Sequence, residues 1–310
     1  MNIFLHILTH NVLPLTIMIA IGITMGKVFR PDIKTLSKLN FYVFSPAMMF
    51  ELLFHTAISL QLFGQVMLFF FLFMALQYAM VEAVIRIRKY EGGMKNAMRN
   101  SVLFYNSANY GIPINQLAFA GNPMSLAVQV LIMMMQNLVP NTYGIYSVNA
   151  HKADWRQIRR IILGMPTVYV IPAALLLRRL HAEIPSSIET PIRYLSDAFI
   201  GTALITLGIQ LGIMTWKITR SAAVDVGLST VLRLVLGPLI AWLLVLLLGV
   251  DGIVASALIV SSAVPTSLSS VLLAVEFDNE PEFASQTVLL STVLSILSVT
   301  AVISSLHLLG

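Results

Sequence analysis

The 310-residue sequence contains no cysteine, which excludes disulfide cross-links, thiolate metal sites and cysteine nucleophiles. Charge is scarce as well. Asp, Glu, Lys and Arg make up 11% of the residues, whereas 57% are hydrophobic and the mean hydropathy is +0.85. Water-soluble domains carry about a quarter charged residues, so a soluble domain of any size is excluded. Glycine-rich nucleotide loops and serine-nucleophile elbows are also missing. Their absence removes ATP-driven transport by this chain alone and leaves no motif for an enzyme or a bound cofactor. The histidines, His6, His10, His55, His151, His181 and His307, fall near helix ends or in loops without metal-ligand spacing, so no metal site is expected. No Lys or Arg precedes the first apolar stretch and no small-residue cleavage site follows it; that stretch reads as a membrane helix rather than a removable signal peptide.

What the sequence has in abundance is apolar runs. A membrane-spanning helix takes about 20 apolar residues, and segments of that kind are expected at 11–29, 35–56, 62–87, 96–120, 124–147, 158–179, 188–215, 221–249, 252–276 and 282–308. The expected fold is an all-α polytopic membrane protein of ten helices. Basic residues cluster in alternate connections: Lys27, Arg30, Lys34 and Lys38; Arg86, Arg88, Lys89, Lys95 and Arg99; Lys152, Arg156, Arg159 and Arg160; Lys217 and Arg220. These are 15 of the 19 Lys and Arg, and the opposite side carries only Arg178, Arg179 and Arg193. The positive-inside rule then places both termini outside the cytoplasmic membrane. The net charge of +5 thus marks topology; a nucleic-acid surface would need basic residues on one exposed face with aromatics interleaved.

Ten helices divide into five and five at the basic loop near 149–157, and an odd number per half makes the halves cross in opposite senses. Residues 1–150 and 151–310 are therefore expected to form an inverted repeat. Pro14 and Pro166 are 152 residues apart, and so are Pro113 and Pro265. Proline removes an amide donor and clashes with the preceding turn, so helices 4 and 9 should break at Pro113 and Pro265. Around the first break stand Asn106, Asn109, Tyr110 and Gly111, and around the second Ser261, Ser262, Thr266, Ser267, Ser269 and Ser270. With each proline opening a half-helix as its first residue, two helix N-termini would meet near mid-membrane, offering partial positive charge and unpaired N–H groups to an anion. The alternative is a pair of proline kinks whose Ser and Asn serve helix packing. Gln136, Asn137, Asn141 and Thr142 around Pro140 are further candidates to line this region.

Charges inside membrane helices are costly, and Glu51, Glu82, Asp197 and Arg233 are the candidates to weigh. Glu82 lies one turn before Arg86, which suits an i,i+4 ion pair. Glu51 can reach the headgroups, and Asp197 is placed to carry a proton or pair with a cation. Arg233 cannot lose its proton, so it needs a carboxylate, backbone carbonyls or a water-filled cavity; it either binds the anion or fixes an internal acid. Phe69, Phe70, Phe71 and Phe73 run all round helix 3 and are expected to face lipid.

Two segments, FYNSANYGIPINQLAFAGNP and SAVPTSLSSVLLAVEFDNEPEFASQTVLLSTVLSIL, resemble the auxin efflux carrier family, with weaker likeness in FYVFSPAMMFELL, LGIQLG and LRLVLGPLIAW. The resemblance implies an inverted-repeat carrier with a scaffold and a transport domain, each built from both repeats, whose broken helices cross at their prolines. It implies an elevator mechanism, a homodimer formed through the scaffold, and a small organic anion as substrate: auxin for plant members, malate or malonate for bacterial ones. The asparagine that holds the substrate carboxylate in plant carriers corresponds to Asn106. The long cytoplasmic loop of those carriers is missing here, and regulation through it does not carry over. The expected substrate site comprises Asn106, Asn109, Tyr110, Gly111, Pro113, Asn137, Asn141, Pro265, Thr266 and Ser267, with Asp197, Arg233 and Glu82 as ion or charge-relay candidates. A secondary carrier or facilitator is the leading function, and an anion channel or membrane receptor of the same fold the alternative.

Overall fold

The computed structural model describes residues 3–148, 155–214, 216, 218, 220 and 222–309. His151, Lys152, Lys217 and the expected boundary between the halves at 150 lie outside the described residues. Within them the chain is helical: Ile3–Val28 (α1), 33–55 (α2), Leu60–Arg88 (α3), Gly92–Leu103 (α4), 107–118 (α5), Pro123–Val148 (α6), Trp155–Leu163 (α7), Thr167–Arg179 (α8), Ser186–Ile213 (α9), Ala223–Leu247 (α10), Gly252–Ser262 (α11), Leu268–Glu276 (α12) and Pro281–Leu309 (α13). Six of these (α1, α3, α6, α9, α10 and α13) are long and apolar enough to cross a bilayer. No strand forms among the described residues; Tyr105 and Thr266 pair as an isolated antiparallel bridge.

The prolines explain how long helices survive them. A proline cannot donate to the carbonyl four residues back and crowds it, and one escape is a π turn, in which the ladder shifts by one residue. Pro14, Pro46, Pro113 and Pro238 each lie two residues beyond such a turn, at Leu8–Val12, Asn40–Phe44, Ser107–Gly111 and Leu232–Leu236. In the first, Leu13 N–H reaches back to Leu8 C=O, and in the last Gly237 N–H reaches Leu232 C=O.

The helices pack in two groups. In one, α1 lies along α9, and α2 packs between α8 and α9; in the other, α3, α6 and α10 to α13 share an apolar core that residues of α1 and α9, among them Val12, Leu15, Leu204 and Leu207, also enter, while α4 packs against α3 and α13. Lipid offers no hydrophobic drive between helices, so close packing must supply the attraction. Between α1 and α9 it does so through two pairs of glycines four residues apart: a Cβ on Gly22 or Gly208 would collide with the Ile205 or Ile19 carbonyl oxygen across the interface. The second group buries aromatic rings. Phe69, Phe70 and Phe73 are enclosed and only Phe71, 57% exposed, faces outward, so the expectation that all four face lipid fails for three of them. The reason is that α3 packs against α4, α6 and α10, leaving it one free face.

Gly208→Leu should cost about 1–3 kcal/mol of stability by forcing α1 and α9 apart, read as a lower thermal unfolding midpoint in detergent. Gly64→Ala on α3, where an added Cβ meets nothing, should instead gain about 0.5–1 kcal/mol. Equal midpoints for the two variants would remove the close-approach argument.

Candidate functional site

Helical bonding stops after Leu103 in one segment and after Ser262 in the other, and resumes at Ser107 and Leu268. A helix end leaves carbonyls without partners, and here they are buried. Each of five consecutive carbonyls finds one. Asn100 C=O accepts from Phe104 N–H (3.0 Å), and Ser101 C=O from the Thr266 hydroxyl (2.8 Å). Val102 C=O accepts from the Arg233 guanidinium (3.1 Å), Leu103 C=O from the Gln136 amide (3.3 Å) and Phe104 C=O from Ser267 N–H (2.8 Å). The link between the second pair of helices reciprocates: Asn106 N–H donates to Pro265 C=O at 2.8 Å. Phe104–Asn106 and Pro265–Ser267 thus lie side by side.

Beside this junction is a cavity of about 410 Å³ lined by parts of both helix groups. Ser37, Lys38, Asn40, Phe41, Tyr42, Phe199 and Gln210 come from α2 and α9; Tyr105, Asn106, Asn109, Gln136, Asn137, Ser267 and Leu268 come from the other side. Asn106, only 6% exposed, caps the restarted helix: its Oδ1 accepts from Asn109 N–H at 3.1 Å. That bond fixes which half of the amide is oxygen, leaving the NH₂ as the donor available to a ligand. Among the described residues, Lys38 is the one charged residue on the cavity wall, and it is exposed, at the rim. Neutral donors with one exposed ammonium suit an anion.

Of the expected substrate residues, Asn106, Asn109, Asn137 and Ser267 line this cavity. Asn141 lines an adjoining pocket with Arg160, and the two share Phe41 and Tyr42. The others stand apart. Tyr110 borders a separate apolar cavity of about 270 Å³ with Leu15, Leu211 and Ile296. Gly111 is buried against Gln129, where an added Cβ would collide with the amide. Pro113 and Pro265 are buried, and Thr266 is bound to Ser101 C=O and, through its N–H, to Ser291 Oγ at 3.2 Å.

Neither proline opens a helix as its first residue. Pro113 follows a π turn, with the restart upstream at Ser107, and Pro265 sits in the non-helical link three residues before α12, which Ser267 caps. The N–H groups of Thr266, Ser267 and Ser269 are already engaged and are not the free donors expected after Pro265.

The charge candidates separate too. Glu82 pairs with Arg86 at 3.7 Å, as its spacing suggests, but holds Arg99 of α4 more closely, with Nε at 2.9 Å. Asp197 is exposed and away from the cavity. Arg233 is fully buried and lies behind the wall, its guanidinium centre 4.6 Å from the Tyr105 ring. Sequence reasoning missed Ser37, Lys38, Asn40 and Gln210. Lys38 had been counted only as a topology marker. Asn40, buried and bonded to Thr206 Oγ1 at 3.0 Å, opens a π turn six residues before a proline, the pattern that could have pointed to it.

Apolar spanning helices and a polar internal cavity mark a multi-pass membrane protein, and the comparisons show which proteins it is similar to. Residues 156–303 match the family described as "Membrane transport protein". The chain is 29% identical over 116 residues to an "Uncharacterized transporter" of Methanothermobacter thermautotrophicus, which covers 37% of each protein. It is 27% identical over 149 residues to "Probable auxin efflux carrier component 5b" of Oryza sativa subsp. japonica, covering 46% of this chain and 40% of that one. "Auxin efflux carrier component 5" of Arabidopsis thaliana is 30% identical over 104 residues, covering 34% and 29%. Each match spans less than half of the relative's length. Together they liken the chain to membrane transporters and to auxin efflux carriers.

Asn106→Asp separates donor from cap, because the aspartate still accepts from Asn109 N–H. Losing the donor removes a hydrogen bond of about 1.5–3 kcal/mol to a charged ligand, so carboxylate affinity should fall at least about tenfold. Asn122→Asp, which keeps the α6 cap contacts to Met124 and Ser125 N–H, should leave affinity at the wild-type value. Equal binding by both variants in titration calorimetry would move the site elsewhere.

Proposed function

We propose that the protein is a secondary carrier or facilitator for a small organic anion, a carboxylate of the auxin-like or dicarboxylate kind, working by elevator-type alternating access in the cytoplasmic membrane. The observation that carries this reading is the cavity between the two helix groups, with the Asn106 amide on one wall and Lys38 at its rim. A site shared by two packed bodies changes its exposure when one slides past the other, which a single-body pore does not do. In this reading α1, α2, α8 and α9 form the scaffold, through which a homodimer pairs, and the remaining group carries the substrate.

Ten spanning segments are then arranged as two five-helix repeats, 1–150 and 151–310, with α4–α5 and α11–α12 as interrupted spans crossing near mid-membrane. Support comes from the reciprocal backbone bonds between their links, Asn106 to Pro265 and Ser267 to Phe104. Lys38 and Arg160, near the cavity and its adjoining pocket, belong to the basic connections that the positive-inside rule assigns to the cytoplasm. The cavity accordingly opens inward, and both termini lie outside.

In proteoliposomes, a panel of labelled monocarboxylates and dicarboxylates, indole-3-acetate and malonate among them, should yield at least one with saturable flux and counterflow. Flux that grows linearly with concentration and shows no counterflow would identify a channel. Lys38→Gln should weaken binding of that anion about two- to fivefold at low salt, and the difference should shrink as salt screens the exposed ammonium. Tags at both termini should be reached from outside, and a tag between His151 and Gln157 should not.

A further inference from the structure

The most unusual side chain in the molecule is one the substrate site does not use. Arg233 is 0% exposed, and among the described residues no carboxylate pairs with it. Its guanidinium instead meets three oxygens: Gln77 Oε1 at 3.2 Å, Val102 C=O at 3.1 Å, and Ser262 C=O. Two of these are helix ends. Val102 lies in the last turn of α4 and Ser262 is the last residue of α11, so both carry the negative pole of a helix. A helix C-terminus is equivalent to roughly half a negative charge, and two of them together balance about one cation.

The surroundings are shaped for that cation. The π turn at Leu232–Leu236 turns Arg233 inward, and a Cβ at Gly237 would stand 3.2 Å from its Nη2, so the bare backbone there leaves it room. Tyr105 and Phe73 cover it with their rings, at 4.6 and 5.8 Å. Where unwound carbonyls and half-helix C-termini converge inside a transporter, the general solution is a bound monovalent cation or proton.

We propose that Arg233 is the permanent internal cation of this junction, occupying the place between two helix C-termini that a mobile coupling cation would otherwise fill. A guanidinium neither dissociates nor loses its proton. The site is therefore always filled, and the junction holds together without sodium or potassium. The transport consequence, flux that does not require a sodium gradient, rests on the carrier reading above; the occupancy of the site does not.

The test reads the site without using substrate. Purified full-length protein is compared in N-methylglucamine, sodium, potassium and guanidinium chlorides at equal ionic strength. The wild-type unfolding midpoint should be the same in N-methylglucamine, sodium and potassium and lower in guanidinium only by that salt's general denaturing effect, and the wild type should show no saturable binding of radioactive sodium. Arg233→Ala leaves the carbonyls of Val102 and Ser262 without a cation; its midpoint should fall in N-methylglucamine and recover by about 3 °C or more in sodium or guanidinium. Arg233→Lys, which restores a tethered cation, should be as indifferent to the salt as the wild type. An Arg233→Ala midpoint that ignores the cation would show a merely structural arginine and overturn the proposal. Should that variant fail to fold, a saturable sodium site in the wild type would overturn it and the lack of one would support it. Failure of every carboxylate in the flux screen, with cation rescue intact, would count against the carrier reading alone.

Discussion

Buried peptide groups at the ends of two interrupted helices must find partners inside the protein, because no water is at hand in a bilayer to supply them. An unpaired polar group there costs several kcal/mol, so this requirement outranks the packing preferences of single side chains. It explains why Gln136, Thr266, Ser267 and Arg233, from three separate parts of the chain, converge on carbonyls between Ser101 and Phe104. Asn106 answers the same need on the other side of the link, through its backbone and its Oδ1. Among the groups those bonds leave free is the Asn106 amide nitrogen, and the cavity lies beside it. The candidate site is what the satisfied junction leaves over.

Proline has two uses in this chain, and they are physically distinct. Where a π turn absorbs the missing donor, as before Pro14, Pro46 and Pro238, the helix continues and only the direction of its side chains changes. That change matters at Arg233, which the turn aims at the helix ends. Where the chain leaves helical conformation altogether, the proline need not stand at the break. Pro113 follows it by several residues, and Pro265 lies within the link and contributes a carbonyl rather than a helix start.

The distinction also marks how far the sequence could be read. Apolar runs, basic connections and the asparagine and serine clusters are local patterns, and they located the helices and the neighbourhood of Asn106, Asn109, Asn137 and Ser267. The partner wall of the cavity was not legible, because Ser37, Lys38, Asn40 and Gln210 reach it only through the packing of α2 and α9. A lysine in a basic connection reads as a topology signal whether or not it also faces a ligand. Phe69, Phe70 and Phe73 misled in the opposite way: an all-round apolar helix is compatible with lipid or with a crowded interior, and only neighbours decide. For Glu82, spacing found Arg86, but the closer partner, Arg99, lies on another helix.

Two cations thus stand near one cavity in very different circumstances. Arg233 lies behind the Tyr105 ring with its charge opposed at short range by two helix ends, and a charge so balanced projects little net field into the neighbouring space. Lys38 has no such opposition, but it is exposed, and salt screens an exposed charge over about 8–10 Å. In the proposed carrier, the attraction that draws an anion to the rim would therefore be salt-dependent and adjustable, whereas the contacts that hold it at Asn106 would be short, neutral and fixed by the junction. A carrier must bind its substrate and then release it. A weakly charged site with few oriented donors meets both demands better than a buried guanidinium would, and this is a physical reason for the buried guanidinium to be fastened to the backbone and kept out of the cavity.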